Sequence, residues 1–256
     1  MVHGAAARCD RWVNGADAKG WGGRDIATPE YRDTGPMSFW EEPEQVQRFA
    51  EKEPDHRLVE LLESFSDPGH TRVLDLGCAS GRNTVLLAQL GFDFYAVDSS
   101  VPMVERTRER VAEVSGESAA IDRVAVGWME DLSQFEDGFF NLIVSLGIYH
   151  QARSPGQWRR ALDETHRVLA ADGLLLAATF SPESQPQGEP LSPVPGQDHM
   201  YEGFSSGPLC LIDQDDWDEM MAAYGLVAEI PTQTAQVPTE DGYRVTVNLL
   251  YRKRAS

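Results

Sequence analysis

Lysine is almost missing from this 256-residue chain: Lys19, Lys52 and Lys253 are the only three, and arginine carries the rest of the positive charge. With 41 acidic residues against 22 basic ones, the formal charge is −19. Such a field repels phosphate backbones and argues against nucleic acid as a partner, in favour of small molecules. Cysteine is equally scarce. Cys9, Cys78 and Cys210 are odd in number and have neither disulfide-framework nor C-x-x-C spacing, so they read as reduced thiols. No apolar run approaches the roughly 18 residues that span a bilayer, and no long apolar core stands near the N-terminus. These absences predict a cytoplasmic protein with no membrane attachment.

The informative residues lie between about 70 and 180. Val73-Leu-Asp-Leu-Gly-Cys-Ala-Ser-Gly-Arg-Asn-Thr84, followed by Tyr95-Ala-Val-Asp-Ser99, reads as strand, glycine loop, helix and second strand ending in an acid. In an open α/β sheet this layout holds an adenosine. Gly77 and Gly81 let the backbone approach the ligand, and Asp98 at the tip of the second strand binds ribose hydroxyls. The dinucleotide form of the layout needs G-x-G-x-x-G to seat a pyrophosphate on a helix N-terminus, and this loop does not supply it. Instead Asp75 precedes Gly77, and Ala79 stands between the two glycines, a position where alanine is harmless if its backbone keeps negative φ.

This pattern resembles motif I, D-x-G-x-G-x-G, of the class I S-adenosylmethionine-dependent methyltransferases. Arg123-Val-Ala-Val-Gly-Trp-Met-Glu-Asp-Leu132 resembles that family's third strand and adenine-binding turn, with either Glu130 or Asp131 as the carboxylate near the base. Phe139-Phe-Asn-Leu-Ile-Val-Ser-Leu-Gly-Ile-Tyr-His150 resembles the fourth strand, and Tyr243-Arg-Val-Thr-Val-Asn-Leu-Leu-Tyr251 the last, antiparallel one. The resemblance implies S-adenosyl-L-methionine as cofactor and S-adenosyl-L-homocysteine as product. It also implies a cofactor shell of Asp75, Gly77, Cys78, Ala79, Gly81, Arg82, Asn83, Asp98, Ser99, Met103, Trp128, Met129, Glu130 and Leu146. Arg82 would bind the methionine carboxylate or else form a surface ion pair.

The implied reaction is methyl transfer to a small-molecule acceptor by in-line displacement, at oxygen, nitrogen, sulfur or carbon, with no metal required. Where an acceptor has a proton to lose, Tyr149 and His150 stand just past the fourth strand, and an imidazole titrating near ~6.5 suits that task. His199 and Tyr201 are weaker candidates. The Asp/Asn-Pro-Pro-aromatic motif of nucleic-acid amino methylation is replaced by Leu146-Gly-Ile-Tyr149, and no cysteine follows a proline. Two rival readings remain: a non-catalytic S-adenosylmethionine-binding protein, since a cofactor site does not establish turnover, and a nucleotide-dependent oxidoreductase, which the glycine spacing disfavours.

The expected fold is α/β and Rossmann-like: a mostly parallel seven-stranded sheet with an antiparallel last strand, helices on both faces, an N-terminal helical cap and a proline-rich lid. Residues 1–66 would form the arm and cap, and 67–256 the methyltransferase domain with its lid at 181–208, all in one structural domain. Strands are expected near 72–76, 93–97, 123–127, 139–146 and 173–180, with helices near 81–90, 101–115 and 156–170. Ser154 and Pro155 begin the last of these helices, and Asp172-Gly173 ends it. Two helical pieces in 41–65 break near Pro54. Trp12, Trp21, Tyr31 and Trp40 would be costly to leave solvated. Pro182, Pro186, Pro190, Pro193, Pro195 and Pro208 exclude a regular helix from the lid, and helical spacing resumes from Asp213 to Tyr224.

Overall fold

The computed structural model describes residues 39–255; the expected docking of Trp12, Trp21 and Tyr31 lies outside the described residues. Strands β1 (Arg72–Leu76), β2 (Asp93–Asp98), β3 (Val124–Val126), β4 (Phe140–Leu146) and β5 (Leu169–Phe180) are parallel, in the spatial order β3-β2-β1-β4-β5. A late strand, Tyr243–Lys253, lies antiparallel to β5. Its outer side is paired by two short strands, Leu226–Ala228 and Gln233–Pro238. Glu229 N–H donates to the Leu250 carbonyl at 2.9 Å between them, so they behave as one interrupted edge strand. The expected seven-stranded arrangement is therefore present, with its edge strand broken at residues 229–232.

Side-chain alternation along these strands builds two cores. On one face Leu74, Leu76, Ile143, Leu175, Val247 and Leu249 pack under α6 (Pro155–Val168) and α7 (Gln214–Ala223), through Trp158, Leu162, Trp217 and Met221. On the other, Val73, Ala96, Leu142 and Val144 meet Leu87 of α3 (Arg82–Gln89), Val104 and Val111 of α4 (Val101–Ser115) and Ala120 of α5 (Glu117–Arg123). The same alternation turns Asp75 toward α3.

The N-terminal segment forms α1 (Pro43–Ala50) and α2 (His56–Leu62), separated at Pro54 as expected. Leu58 and Leu62 of α2 are buried in the second core, so these helices share the core of the sheet. No helix among the described residues is long and apolar enough to cross a membrane.

Two expectations need correction. Ser154 caps α6 and Pro155 opens it, but the helix ends at Val168, and Asp172-Gly173 forms a bulge inside β5. Leu169 faces the core and goes straight into extended backbone. The β4–β5 register then shifts, Phe140 opposing Leu169 and Leu142 opposing Leu174, with Asp172 at φ 60° taking up the extra residues. A Cβ on Gly173 would lie 2.8 Å from Leu169 Cδ1, so this glycine serves the bulge, not a helix end.

The segment at 181–208, free of helix as its prolines require, is also not a bare loop. β6 (Ser192–Pro193), β7 (Met200–Glu202) and β8 (Leu209–Cys210) form a small antiparallel sheet, with Met200, Leu209 and Cys210 buried. In chain order the remaining strands are β9 (Leu226–Ala228), β10 (Gln233–Pro238) and β11 (Tyr243–Lys253).

Candidate active site

The loop from β1 to α3 is built around two left-handed glycines. Gly77 has φ 79°, and a Cβ there would lie 3.0 Å from Ile148 Cδ1; Gly81 has φ 81°, and a Cβ there would lie 2.8 Å from Thr107 Cγ2. Any side chain at either position meets both backbone strain and a filled space. Ala79 departs from the expectation of negative φ: its φ is 47°. Its backbone is held there from both ends, because Ala79 N–H donates to Asp98 Oδ2 at 2.9 Å and Thr107 Oγ1 donates to its carbonyl at 2.6 Å. Left-handed backbone costs a non-glycine residue about 1–2 kcal/mol, so Ala79→Gly is expected to raise stability by up to about 1 kcal/mol after the extra chain entropy of glycine. Denaturant unfolding would measure this, and a loss of stability would show that the methyl group packs usefully.

Asp98 joins the two halves of the unit. Beyond its bond to Ala79, its Oδ1 accepts from Ser100 N–H at 2.9 Å. Burial raises its pKa against these bonds. The backbone N–H groups of Ala79, Ser99 and Ser100 face this carboxylate, and two oxygens with about four lone-pair sites retain capacity for a ligand hydroxyl. Asp75, 2 % exposed, accepts from Thr84 Oγ1 at 2.6 Å. Burial raises it to about 6 despite that bond and the charge of Arg82.

The cap is fastened to this loop. Ser80 Oγ donates to the Val46 carbonyl at 2.7 Å and Ser100 Oγ to the Trp40 carbonyl at 3.3 Å, while Trp40 packs edge-on against Phe49. Arg82 Nη1 donates to the Glu53 carbonyl at 3.2 Å and its Nη2 lies 4.0 Å from Asp55, whose own N–H donates to Asn83 Oδ1 at 3.0 Å. Arg82 and Asn83 thus hold the link between α1 and α2.

Cys78 and Met103 are buried beneath the loop. Burial, then Asp98 and Asp75, raises the Cys78 thiol well above its usual range, and Met103 Sδ lies 3.0 Å from Ser80 Oγ. Ser99 is exposed, and Leu146 half-buried, at the ends of β2 and β4. After β3, Trp128 is half-buried and Met129 buried. The choice between the two acids is sharpened: Asp131 is exposed, whereas Glu130 accepts from Gln157 Nε2 at 2.9 Å through Oε1 and keeps Oε2 buried without a partner.

Tyr149 and His150 overturn expectations. Both lie in a short 3-10 turn, Tyr149–Gln151, that points them inward. Tyr149 is fully buried against Trp217, and its hydroxyl meets Thr165 Oγ1 at 2.8 Å. Burial pushes its phenol up to about 12. It is a core residue on the side of α6. Tyr149→Phe is accordingly expected to cost about 1–2 kcal/mol of stability by leaving Thr165 short of a partner and to leave ligand binding unchanged; a binding defect in a folded variant would return Tyr149 to the site. His150 is 2 % exposed, stacked on Phe180 at 4.0 Å, with Nδ1 3.4 Å from Thr179 Oγ1. Burial, with the charge of Arg244, pushes it down to about 3. The imidazole is neutral at physiological pH and a poor proton acceptor, contrary to the expectation from its ordinary pKa.

Residues that motif reading missed are those that shape the loop from elsewhere. Thr84 and Thr107 bond Asp75 and Ala79; Arg110 Nη1 donates to the Ser80 carbonyl at 2.6 Å; Ile148 packs over Gly77. Thr84 and Ile148 belonged to recognisable segments; Thr107 and Arg110 did not. A separate cleft of about 220 Å³ between α6 and α7, lined by Trp158, Arg159, His199, Met220 and Tyr224 among others, holds none of the expected cofactor residues.

Residues 73–173 match the sequence model of a family described as a methyltransferase domain. Protein-L-isoaspartate O-methyltransferase 2 of Nitrosospira multiformis is 40% identical over 58 residues, covering 23% of this chain and 26% of that protein. Ubiquinone biosynthesis O-methyltransferase of a Caulobacter species is 28% identical over 110 residues, covering 43% and 41%. The chain thus spans well under half of these curated relatives. In fold it is similar to the Burkholderia thailandensis 1,6-didemethyltoxoflavin-N1-methyltransferase, solved with that substrate and S-adenosylhomocysteine, at a TM-score of 0.54 and 20% identity over 82% of this chain and 78% of that one. The sheet order and the glycine loop tied to the acid of β2 agree with that match: residues 73–173 match a methyltransferase domain, and the fold is that of solved S-adenosylmethionine-dependent methyltransferases.

Proposed function

We propose that this protein transfers a methyl group from S-adenosyl-L-methionine to a small-molecule acceptor. The observation that carries the reading is Asp98: one carboxylate bonds both the glycine loop and the start of α4, each at 2.9 Å, and retains acceptor capacity at the place where an adenosine ribose would lie. Three features support the fit of the cofactor. Gly77 and Gly81, at φ 79° and 81°, leave the loop backbone bare of side chains for a ligand to approach. Asp75 is a buried carboxylate whose charge a cationic ligand would compensate. Glu130 Oε2 is a buried acceptor in want of a donor such as the adenine amino group.

The bound sulfonium would supply both the methyl group and its own leaving group. The chain's part is then positioning. Asp98 fixes the ribose, Asp75 favours a positive ligand, and the α1–α2 cap, held by Ser80, Ser100 and Arg82, restricts water. Residues 181–208 leave the carboxyl end of β5, where ligands of open α/β sheets bind, and in this reading they select the acceptor. Neither Tyr149 nor His150 is suited to remove a proton, so an acceptor that is already a nucleophile at neutral pH fits best.

Calorimetric titration with S-adenosylmethionine, S-adenosylhomocysteine and a reduced nicotinamide control tests the proposal. Binding of the first two alone is expected. Binding of the nicotinamide alone, or of none, would overturn it, and cofactor binding without turnover on a broad acceptor panel would favour a non-catalytic binding protein.

A further inference from the structure

A ladder of parallel rings runs from the end of β4 across β5 to the lid segment. His150 stacks on Phe180 with centroids 4.0 Å apart and planes 16° apart, and Phe180 stacks on Phe204 at 5.4 Å and 7°. The Arg244 guanidinium lies 5.3 Å over the Phe180 ring. Phe204 is half-exposed, so the ladder reaches the surface at its lid end.

Basic side chains gather beside the ladder. In a chain of formal charge −19, Arg48 of α1, Lys52 of the α1–α2 link and Arg244 of β11 have no ion-pair partner among the described residues. Arg57 and Arg82, by contrast, share Asp55, at 2.7 and 4.0 Å.

The fold brings these three cations to one edge, whereas other cations without an ion pair among the described residues, such as Arg110, Arg153 and Arg160, lie elsewhere in the chain. Thr246 pairs with Phe180, which sets the start of β11, and with it Arg244, at the carboxyl end of the parallel strands. Arg57 of α2 bonds Asn248 on the same face of β11, and Arg82 holds the Glu53 carbonyl. Lys52 therefore overhangs the same edge, its Nζ 3.7 Å over the Phe49 ring. Burial and then the charges of Arg82, Arg48 and Arg244 lower Lys52 to about 8, so at neutral pH it remains a cation among cations. Positive charge gathered at one edge of an acidic protein concentrates anions there, and a guanidinium beside stacked rings suits a flat ligand carrying a carboxylate.

We propose that the methyl acceptor is an aromatic carboxylate, its ring continuing the Phe180–Phe204 ladder and its negative charge held by Arg244 and Lys52. This names the acceptor class for the methyltransferase reading and rests on it.

The test uses the full chain saturated with S-adenosylhomocysteine. Benzoate, naphthoate and indole carboxylate are titrated calorimetrically beside their uncharged amides, in the wild type, Arg244→Gln and Lys52→Gln. At least one acid is expected to bind about tenfold or more tightly than its amide, a difference of about 1.4 kcal/mol. That preference should shrink with added salt and fall toward parity in Arg244→Gln, while affinity for S-adenosylhomocysteine stays at the wild-type value in both variants. No acid outbinding its amide, or a preference that survives both substitutions, overturns the inference and leaves the methyltransferase reading standing. Failure of S-adenosylhomocysteine itself to bind removes that reading, and this inference with it.

Discussion

Asp98→Ala is expected to weaken binding of S-adenosylhomocysteine by about 1–3 kcal/mol, roughly 5- to 150-fold, and to lower stability by about 2 kcal/mol. The two effects have separate origins. The affinity loss comes from ribose hydroxyls that lose a charged acceptor. The stability loss comes from the N–H groups of Ala79 and Ser100, both 2.9 Å from the carboxylate, left without their partner. Asp98→Asn separates them, because its amide oxygen can keep one backbone bond while the charge is lost. Calorimetry and denaturant unfolding on both variants read the two effects independently. Wild-type affinity in Asp98→Ala would remove this residue from the cofactor site.

Asp75→Asn is expected to act in opposite directions on stability and binding. Burial raises the folded pKa of Asp75 from 3.8 to about 6, so the folded chain holds a proton that the unfolded chain has released. The associated stability is intact below about pH 4, declines as pH rises through about 6, and is lost above that. Two pKa units correspond to about 3 kcal/mol, an upper figure for the gain on neutralising the site, so the variant should melt several degrees higher at pH 7. The wild type should lose stability between about pH 4 and 6 relative to the variant. In return, binding of the cationic S-adenosylmethionine should weaken about tenfold, since the amide cannot compensate a positive charge. Unchanged melting at pH 7, with no difference in pH dependence, would show that Asp75 carries no burial penalty. The pairing of a destabilising buried acid with a ligand site is the usual trade between function and stability.

Much of the fold is legible in the sequence because it depends on local periodicity. The short, nearly continuous apolar runs of β1, β2 and β4, the Ser154-Pro155 start of α6 and the break at Pro54 are decided by residues adjacent in the chain. What was hidden depends on contacts across the chain. The left-handed backbone of Ala79 is enforced by Thr107 and Asp98, 28 and 19 residues away, and no local propensity signals it. Asp172-Gly173 carries the composition of a helix end, yet register with β4 makes it a bulge. Tyr149 and His150 follow a strand end, where polar residues often face a ligand, but the 3-10 turn after β4 rotates them into the interior. That rotation, not residue type, decides that neither titrates near neutrality. The grouping of Asp75, Gly77, Gly81 and Asp98 around one loop was legible because a strand–loop–helix–strand unit places those residue types at fixed spacing.

Hydrogen exchange of the full chain with and without S-adenosylhomocysteine tests the central assignment most directly. Binding at the unit built by Asp75, Gly77, Gly81 and Asp98 should slow exchange in peptides covering 76–83, 98–103 and 127–131. Protection absent from those segments, or confined to the cleft between α6 and α7 that Trp158 and Tyr224 line, would contradict it.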